Sequence, residues 1–345
     1  MAIRQHCFTL AISADYQQSK LIPSWGKTEQ LGSTYYLQKV SHDIFGIVDH
    51  REEKSTVYLF DERIGPKNTD HTVSFLTQYW NAVSHQHPWI HRLAIFLDNA
   101  TSTNKNKYLF SWAMEMVASG KVDHIHISFM IAGHTKFAPD RLFSAIGSAY
   151  KAADIFTMSD LQTLCAQSAT TFIEKGDTVL TWRDKLGQKY SDLPGVRKLH
   201  DFLVVKTNDG EVVMKVREHC FAGVWKNSPL KVVNTDVAGT PSPHIGRHIV
   251  TVFLQRKTAN MVTMYDLFIS PDCRPEYLPP LNCHTTDPRP PTTVTPTALS
   301  SSSGRPRKPS KCSVQGCDGT CHRNPARWSE GHTTRAGCPK LHPSV

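Results

Sequence analysis

The chain has 345 residues and a formal net charge of +9, with 39% hydrophobic and 20% charged residues. This length suits one large domain or two smaller ones with a buried core, and the mixed composition excludes collagen, coiled coil and a wholly disordered chain. No apolar run approaches the ~20 residues of a membrane helix, and the N-terminus lacks the apolar core and cleavage site of a signal peptide. We therefore expect a soluble intracellular protein that does not contact a membrane.

Residues 1–155 have the pattern of an α/β domain. Short runs rich in β-branched and aromatic residues predict strands before the first helix, over residues 7–14, 34–40, 43–48 and 56–60. Helical spacing of apolar residues, alternating with two further strands, then predicts helix 72–83, strand 92–97, helix 106–117 and strand 124–131. Pro139 and Asp140 open a last helix, since proline is favoured at a helix start. Counted as three meandering strands followed by alternating helices and strands, the order β-β-β-α-β-α-β-α is that of the ribonuclease H-like fold.

The rest of the chain divides into three segments. Residues 156–280 predict a mixed α+β extension, with a capped helix at 157–167, a hairpin across 208–210 and a small sheet from the β-rich runs 248–256 and 261–269. Residues 281–310 form a linker rich in Pro, Thr and Ser, of a composition that cannot bury a core. Residues 311–345 form a small module rich in Cys and His.

Three aspartates lie at the ends of predicted strands or at the start of a predicted helix. Asp15 ends the first strand, Asp98 ends strand 92–97, and Asp140 begins the last helix. In a ribonuclease H-like sheet the two strands are neighbours, so Asp15 and Asp98 would lie side by side with Asp140 packed across them. Adjacent carboxylates repel, and hard oxygen ligands bind Mg²⁺ or Mn²⁺. Such ions activate a water or a 3′-hydroxyl for phosphoryl transfer.

Each aspartate also has an ordinary structural explanation. An Asp at a strand end often forms a turn, and an Asp in a first helical turn interacts favourably with the helix dipole. The polar segment after Asp98 includes Asn104 and Lys105, and a later loop includes Lys136. These side chains suit contacts with phosphate or sugar, or simply form polar loops.

Four phrases make the first domain resemble an uncharacterised family common in transposon-derived animal genes: SADYQQSKLIP, YLFDERIG, IFLDNATSTNKNKYLFSW and FMIAGHTKFAPDRLF. The resemblance covers roughly residues 8 to 160. It implies a transposase-like domain with the ribonuclease H-like fold and an acidic triad of Asp15, Asp98 and Asp140, assisted by His134. The segment after Asp98 departs from the family pattern, because Ala100, Ser102 and Thr103 stand where the family has Cys, Gly and Gln.

The C-terminal module has the ligand types and spacing of a structural zinc site. The candidate ligands are Cys312, Cys317, His332 and Cys338, with Cys321 and His322 as alternates. The module resembles the Cys-Cys-His-Cys zinc fingers of the myelin transcription factor type, although the interval between its two ligand pairs is two residues longer. That resemblance implies binding to DNA or to chromatin partners.

The charge distribution supports a basic tail. Residues 281–345 hold nine Lys and Arg against three Asp and Glu, which accounts for +6 of the net +9. We expect phosphate contacts from the module through Arg323, Arg327 and Arg335. A protein-binding finger with a solvated basic face is the alternative.

The sequence therefore predicts a nuclear, transposon-derived protein with structural Zn²⁺ and catalytic Mg²⁺ or Mn²⁺. Its partners would be nucleic acid, most simply DNA, or chromatin proteins. If active, it would cut or join DNA strands. The alternative is a catalytically inactive nuclear protein that keeps the fold and the finger for binding nucleic acid or chromatin.

Overall fold

A mixed β-sheet with helices on both faces forms the centre of the structure, which is a computed structural model. It describes residues 8–28, 32–130, 138–168, 171–175, 179–220, 222–237, 239, 241–242, 252–275 and 278. The described strands are β1 Thr9–Tyr16, β2 Lys20–Ile22, β3 Val40–Asp49, β4 Lys54–Asp61, β5 Arg92–Leu97, β6 His124–Phe129, β7 Thr171–Lys175, β8 Asp201–Lys206, β9 Val212–Arg217 and β10 Lys226–Asn227. The described helices are α1 Thr69–Gln86, α2 Lys107–Ala118, α3 Ala138–Lys151, α4 Met158–Gln167, α5 Trp182–Lys189 and α6 Val252–Phe268.

The strand order is β10-β9-β8-β6-β5-β1-β3-β4-β7, and the short β2 pairs with β3. At the centre, β1 runs antiparallel to β3 and parallel to β5, and β5 runs parallel to β6. The hairpin of β8 and β9 extends this sheet through an antiparallel pairing of β8 with β6. The strands of the second segment therefore continue the central sheet.

Two apolar layers cover the sheet. On one face α1, α2 and α5 bury a large core that includes Ile12, Trp80, Trp112 and Leu186. On the other face α3 and α4 pack over the β3–β4 side through a smaller cluster, represented by Ile44 and Ile146. Because strand side chains alternate between faces, each central strand contributes to both sides.

Caps and turns set the ends of several elements. Asn68 caps α1 by accepting a hydrogen bond from the His71 amide at 3.2 Å, so this helix begins at Thr69, ahead of the predicted range 72–83. The capped helix predicted at 157–167 is confirmed as α4, where Thr157 and Asp160 form a reciprocal capping box. The predicted hairpin across residues 208–210 is confirmed between β8 and β9. The predicted element order through the last helix of the first domain is also confirmed, with β2 added.

Two strand predictions are wrong. Residues Gly32–Tyr36 form a 3-10 helix, and the runs predicted as separate strands over 34–40 and 43–48 are replaced by one strand that begins at Val40. The β-rich runs after residue 247 do not form a small sheet, because Val252–Phe268 is the helix α6. Met261, Met264 and Tyr265 have helical spacing and are buried together against Val40, so tertiary packing overrides their strand propensity.

None of the helices found in the described ranges is both long enough and apolar enough to cross a membrane.

Candidate active site

Asp15 and Asp98 lie at the same edge of the sheet. Strands β1 and β5 are parallel neighbours, and Ala14 pairs with Leu97. The next residues after this pair are Asp15 and Asp98. Their backbones therefore lie side by side, about 4.8 Å apart. Ala14 and Leu97 are fully buried in the core face. Because side chains alternate along a strand, Asp15 projects from the opposite face of β1, and Asp98 directly follows the last residue of β5.

Helix α3 brings a third carboxylate towards this edge. Asp140 lies in its first turn. Phe143, one turn further along, packs on Gly46 of β3, which is the register partner of Asp15. A Cβ at Gly46 would stand 2.8 Å from the Phe143 ring, so the absence of a side chain there lets α3 approach the sheet. The negative charge of Asp140 also reaches Asp15 and raises its pKa.

The carboxyl groups of Asp15 and Asp98 both have raised pKa values. Burial raises the pKa of Asp15 to about 7, with a further rise from the charge of Asp98 and partial relief from the Tyr16 amide. The Tyr16 N–H donates to Asp15 Oδ1 at 2.7 Å. Burial also raises the pKa of Asp98, opposed by hydrogen bonds from Asn104 and from the backbone of Ala100. Near neutral pH this pair therefore holds a proton or favours a cation.

Asn104 connects the carboxylates to helix α1. Its side-chain amide nitrogen donates to Asp98 Oδ1. Its carbonyl oxygen accepts from Thr72 Oγ1 at 3.4 Å, and Thr72 Oγ1 is also bonded to the Tyr16 hydroxyl at 3.2 Å. Asn104 is fully buried. A chain of hydrogen bonds thus runs from Asp98 through Asn104 and Thr72 to the Tyr16 hydroxyl, and it restrains the Asp98 carboxylate.

Lys105, which the sequence indicated as a phosphate contact, is also buried. Its Nζ donates to the Arg197 carbonyl at 3.1 Å and lies 5.4 Å from the centre of the Phe129 ring. Burial lowers the pKa of Lys105 to about 8. Both Asn104 and Lys105 are buried and form their hydrogen bonds within the fold. We therefore interpret them as residues that hold the loop after β5 in place, and not as nucleic-acid contacts. Burial could not be predicted here because the segment is polar throughout.

Two residues of the site gave no signal in the sequence. Lys67, just before α1, acts electrostatically on Asp15 and lowers its pKa, while its Nζ donates to the Gln17 carbonyl at 2.8 Å and pairs with Asp43 at 3.2 Å. Thr72 reaches the site from the first turn of α1. Both depend on how α1 packs against the sheet, and no local pattern reveals that packing.

The other predicted site residues lie outside the described part of the chain. They are His134 and Lys136, the zinc-ligand candidates Cys312, Cys317, Cys321, His322, His332 and Cys338, and the basic residues Arg323, Arg327 and Arg335. Their roles stay predictions.

The side chains at this edge have the ligand chemistry of a hard divalent cation. Asp15 and Asp98 offer carboxylate oxygens of the kind that Mg²⁺ and Mn²⁺ prefer, and burial together with the charge of Asp98 raises the pKa of Asp15. Among the residues described, no three His, Cys, Asp or Glu side chains are close enough together to hold a metal. The two strand carboxylates are therefore the residues that could hold an ion, with water completing its shell.

The sequence model of a family described as a domain of unknown function (DUF7869) matches residues 33–222. The match covers more than half of the chain. The chain belongs to this family. The matched span includes Asp98 and Asp140, and Asp15 precedes it. Comparison with curated proteins and with solved structures gives no match.

Proposed function

We propose that this protein is a transposon-derived, transposase-like or integrase-like nuclease with a ribonuclease H-like fold. The observation that carries the proposal is the meeting of Asp15 and Asp98 at one edge of the parallel strands β1 and β5, with Asp140 close enough to raise the pKa of Asp15. The central strand order β4-β3-β1-β5-β6 supports the fold, because it combines two antiparallel pairings with two parallel ones around β1.

The proposed reaction is metal-dependent phosphoryl transfer on DNA. A bound Mg²⁺ or Mn²⁺ would activate a water or the 3′-hydroxyl of a DNA strand and would stabilise the leaving oxygen. Asp15 and Asp98 would hold the ion as carboxylates, for which Asp15 must give up the proton it retains up to about pH 7. Asn104 keeps Asp98 in one orientation through its side-chain amide. Asp140 would add negative charge from α3.

A nicking assay tests the activity. We expect the full-length protein to nick supercoiled DNA or to join strands in Mn²⁺, and Asp98→Asn to abolish this. Asp209→Asn is the matched control, because Asp209 is an exposed turn residue between β8 and β9. Equal activity of Asp98→Asn and Asp209→Asn would refute the catalytic assignment.

The second candidate function is a catalytically inactive nuclear protein that binds nucleic acid or chromatin. It is favoured by the hydrogen bond from Asn104 to Asp98 and by the raised pKa of Asp15, because a protonated Asp15 reduces the repulsion between the two carboxyl groups without an ion. DNA binding with no Mn²⁺-dependent turnover, and with no effect of Asp98→Asn, is the outcome expected for this function.

The proposal extends to a C-terminal zinc finger and a nuclear location. It rests on the Cys and His spacing and the basic charge of residues 311–345. We expect one zinc ion per chain by atomic emission, lost in Cys338→Ala, whereas Cys273→Ala, which changes a cysteine of the first 280 residues, leaves zinc content unchanged. Equal zinc content in both variants would argue against the finger.

A further inference from the structure

The face of the sheet that carries Asp15 continues across β5, β6, β8 and β9. Strand register sets its rows. Arg92 pairs with His124, and Ala94 pairs with His126. His126 in turn pairs with Leu203, and Leu203 with Lys215. A third row joins Phe96, Ser128, Asp201 and Arg217. We call this surface the open face, defined by Arg92, Phe96, His126, Lys215 and Arg217.

The open face is less covered by helices than the rest of the sheet. The opposite side of the same strands is buried under α2 and its neighbours, as Ile95, Ile127 and Val204 show. Helices α3 and α4 pack at the β3–β4 side. On the open face Arg92 is exposed, and Phe96 and Lys215 are half-buried. A sheet face left partly exposed is either solvated or a surface for a partner.

Arginine and lysine side chains give the open face its positive charge. Arg92, Lys215 and Arg217 lie in its rows, together with the buried carboxylate of Asp201. These three cations outnumber the one carboxylate of the same rows.

The cations differ in how far they are neutralised. Arg217 pairs with the fully buried Asp201, so that carboxylate is satisfied within the fold. Arg92 and Lys215 form no ion pair with any residue in the described ranges. Two cations are thus available on a half-exposed surface.

Aromatic rings accompany these cations. Phe96 lies in the row next to Asp98, with its ring centre 6.3 Å from that of His50. At the far side of the open face the guanidinium carbon of Arg217 lies 4.2 Å from the centre of the Trp225 ring. Flat sheet surfaces that combine cations with part-exposed rings suit a strand of nucleic acid, whose phosphates pair with the cations and whose bases stack on the rings.

We propose that the open face binds a nucleic-acid strand and leads it to the carboxylates of Asp15 and Asp98. This inference rests on the proposed function for its direction, because Asp98 directly follows β5 and stands two residues after Phe96. It assigns the contacts to residues of the sheet, separate from the C-terminal module. Phosphate contacts would come from Arg92 and Lys215, and base stacking from Phe96.

The test measures binding by fluorescence anisotropy in EDTA, so that it does not depend on catalysis. The probes are labelled single-stranded DNA and RNA of about 20 nucleotides and the matching DNA duplex. All variants are made in the full chain carrying Arg323→Gln, Arg327→Gln and Arg335→Gln, which reduces binding by the C-terminal module. The test pair is Arg92→Gln with Lys215→Gln.

The matched control is Lys121→Gln with Lys231→Gln. It removes the same charge from exposed positions, one after α2 and one beside the end of α5. We expect the test pair to weaken single-strand binding at least about 5-fold and to lower the slope of log affinity against log salt by about 1.4, as for two lost phosphate contacts. The control should change affinity less than about 2-fold, since it keeps both contacts.

Phe96→Leu separates stacking from charge. Leucine keeps an apolar side chain on β5, so we expect an unchanged melting temperature, affinity weaker by about 5-fold or more, and an unchanged salt slope. Preference for the DNA or the RNA probe identifies the natural strand.

Equal affinities of the test pair and the control pair would overturn the proposal. So would a test pair that altered the mass of the protein in sedimentation without altering binding, because the open face would then be an interface with a second copy. If the wild type does not nick DNA, or if every variant still nicks it, only the proposed function is affected. The binding result is then still valid.

Discussion

Replacing Asp15 with Asn should stabilise the protein at about pH 8 and leave its stability near pH 4 almost unchanged. In the folded protein Asp15 has a pKa of about 7, against 3.8 for an ordinary aspartate. The folded state therefore keeps a proton that the unfolded chain releases near pH 4. Stability falls as the pH rises from about 4 to about 7, and stays lower above that range. Asparagine has nearly the same shape and carries no charge, so it removes this loss.

The size of the effect follows from the interval between the two pKa values. At about 1.4 kcal/mol for each pH unit, it sets an upper value of about 4 kcal/mol. Because the Asp15 side chain is part-exposed, screening by solvent reduces this, and we expect a gain of about 2 to 4 kcal/mol at about pH 8. This corresponds to a rise in melting temperature of about 5 to 15 °C.

Thermal unfolding of the full-length protein at about pH 4.5 and about pH 8, with and without Mn²⁺, measures this. Wild type should gain stability from Mn²⁺ at the higher pH, where Asp15 can lose its proton, and Asp15→Asn should gain less. Asp209→Asn is again the control. If wild type and Asp15→Asn melt at the same temperature at both pH values, Asp15 carries no electrostatic penalty, and the argument for a cation site fails.

Three further substitutions test the surrounding structure. Asn104→Leu removes the donor to Asp98 and should weaken Mn²⁺ binding by about 10-fold in calorimetric titration, and an unchanged affinity would show that Asn104 does not position the carboxylate. Asp201→Asn should lower the free energy of unfolding by about 3 kcal/mol in urea, because this buried carboxylate pairs with Arg217, and a loss below about 1 kcal/mol would contradict that role. Gly46→Val should lower stability by about 1 to 3 kcal/mol in thermal unfolding, since its Cβ would meet the Phe143 ring, and a neutral result would mean that α3 can shift freely.

Local signals in the sequence were sufficient for most of the first domain. The helical spacing of apolar residues in α2, and the alternation of apolar residues in β5, involve only neighbouring residues and can be recognised without tertiary information. In both errors, strand propensity was a poor guide to the structure. Tyr35 and Tyr36 have strand propensity but no partner strand, and they remain exposed in a 3-10 helix. In α6 the β-branched residues concealed the helical spacing of the buried methionines.

Pairings between distant strands could not be predicted in this way. Strand β7 pairs with β4 across more than a hundred residues, and β8 joins β6 in an antiparallel pairing, so both positions depend on the packing of helices between them. The meeting of Asp15 with Asp98 was predictable because the carboxyl ends of neighbouring parallel strands share an edge once the element order is known. The contact of Asn104 with Asp98 was not, because it depends on how a polar loop folds back.

Net charge says less about nucleic-acid binding than the pairing of each cation does. Outside residues 281–345 the chain carries only +3 of its +9. Lys67 and Arg63 count towards that total but are bound to Asp43 and Asp61, and Lys105 is buried, so none of them is available to a phosphate in this conformation. Arg92 and Lys215 add the same formal charge and have no ion-pair partner among the described residues. A surface of modest net charge can therefore bind a polyanion when its acidic side chains, such as Asp201, are already neutralised within the fold.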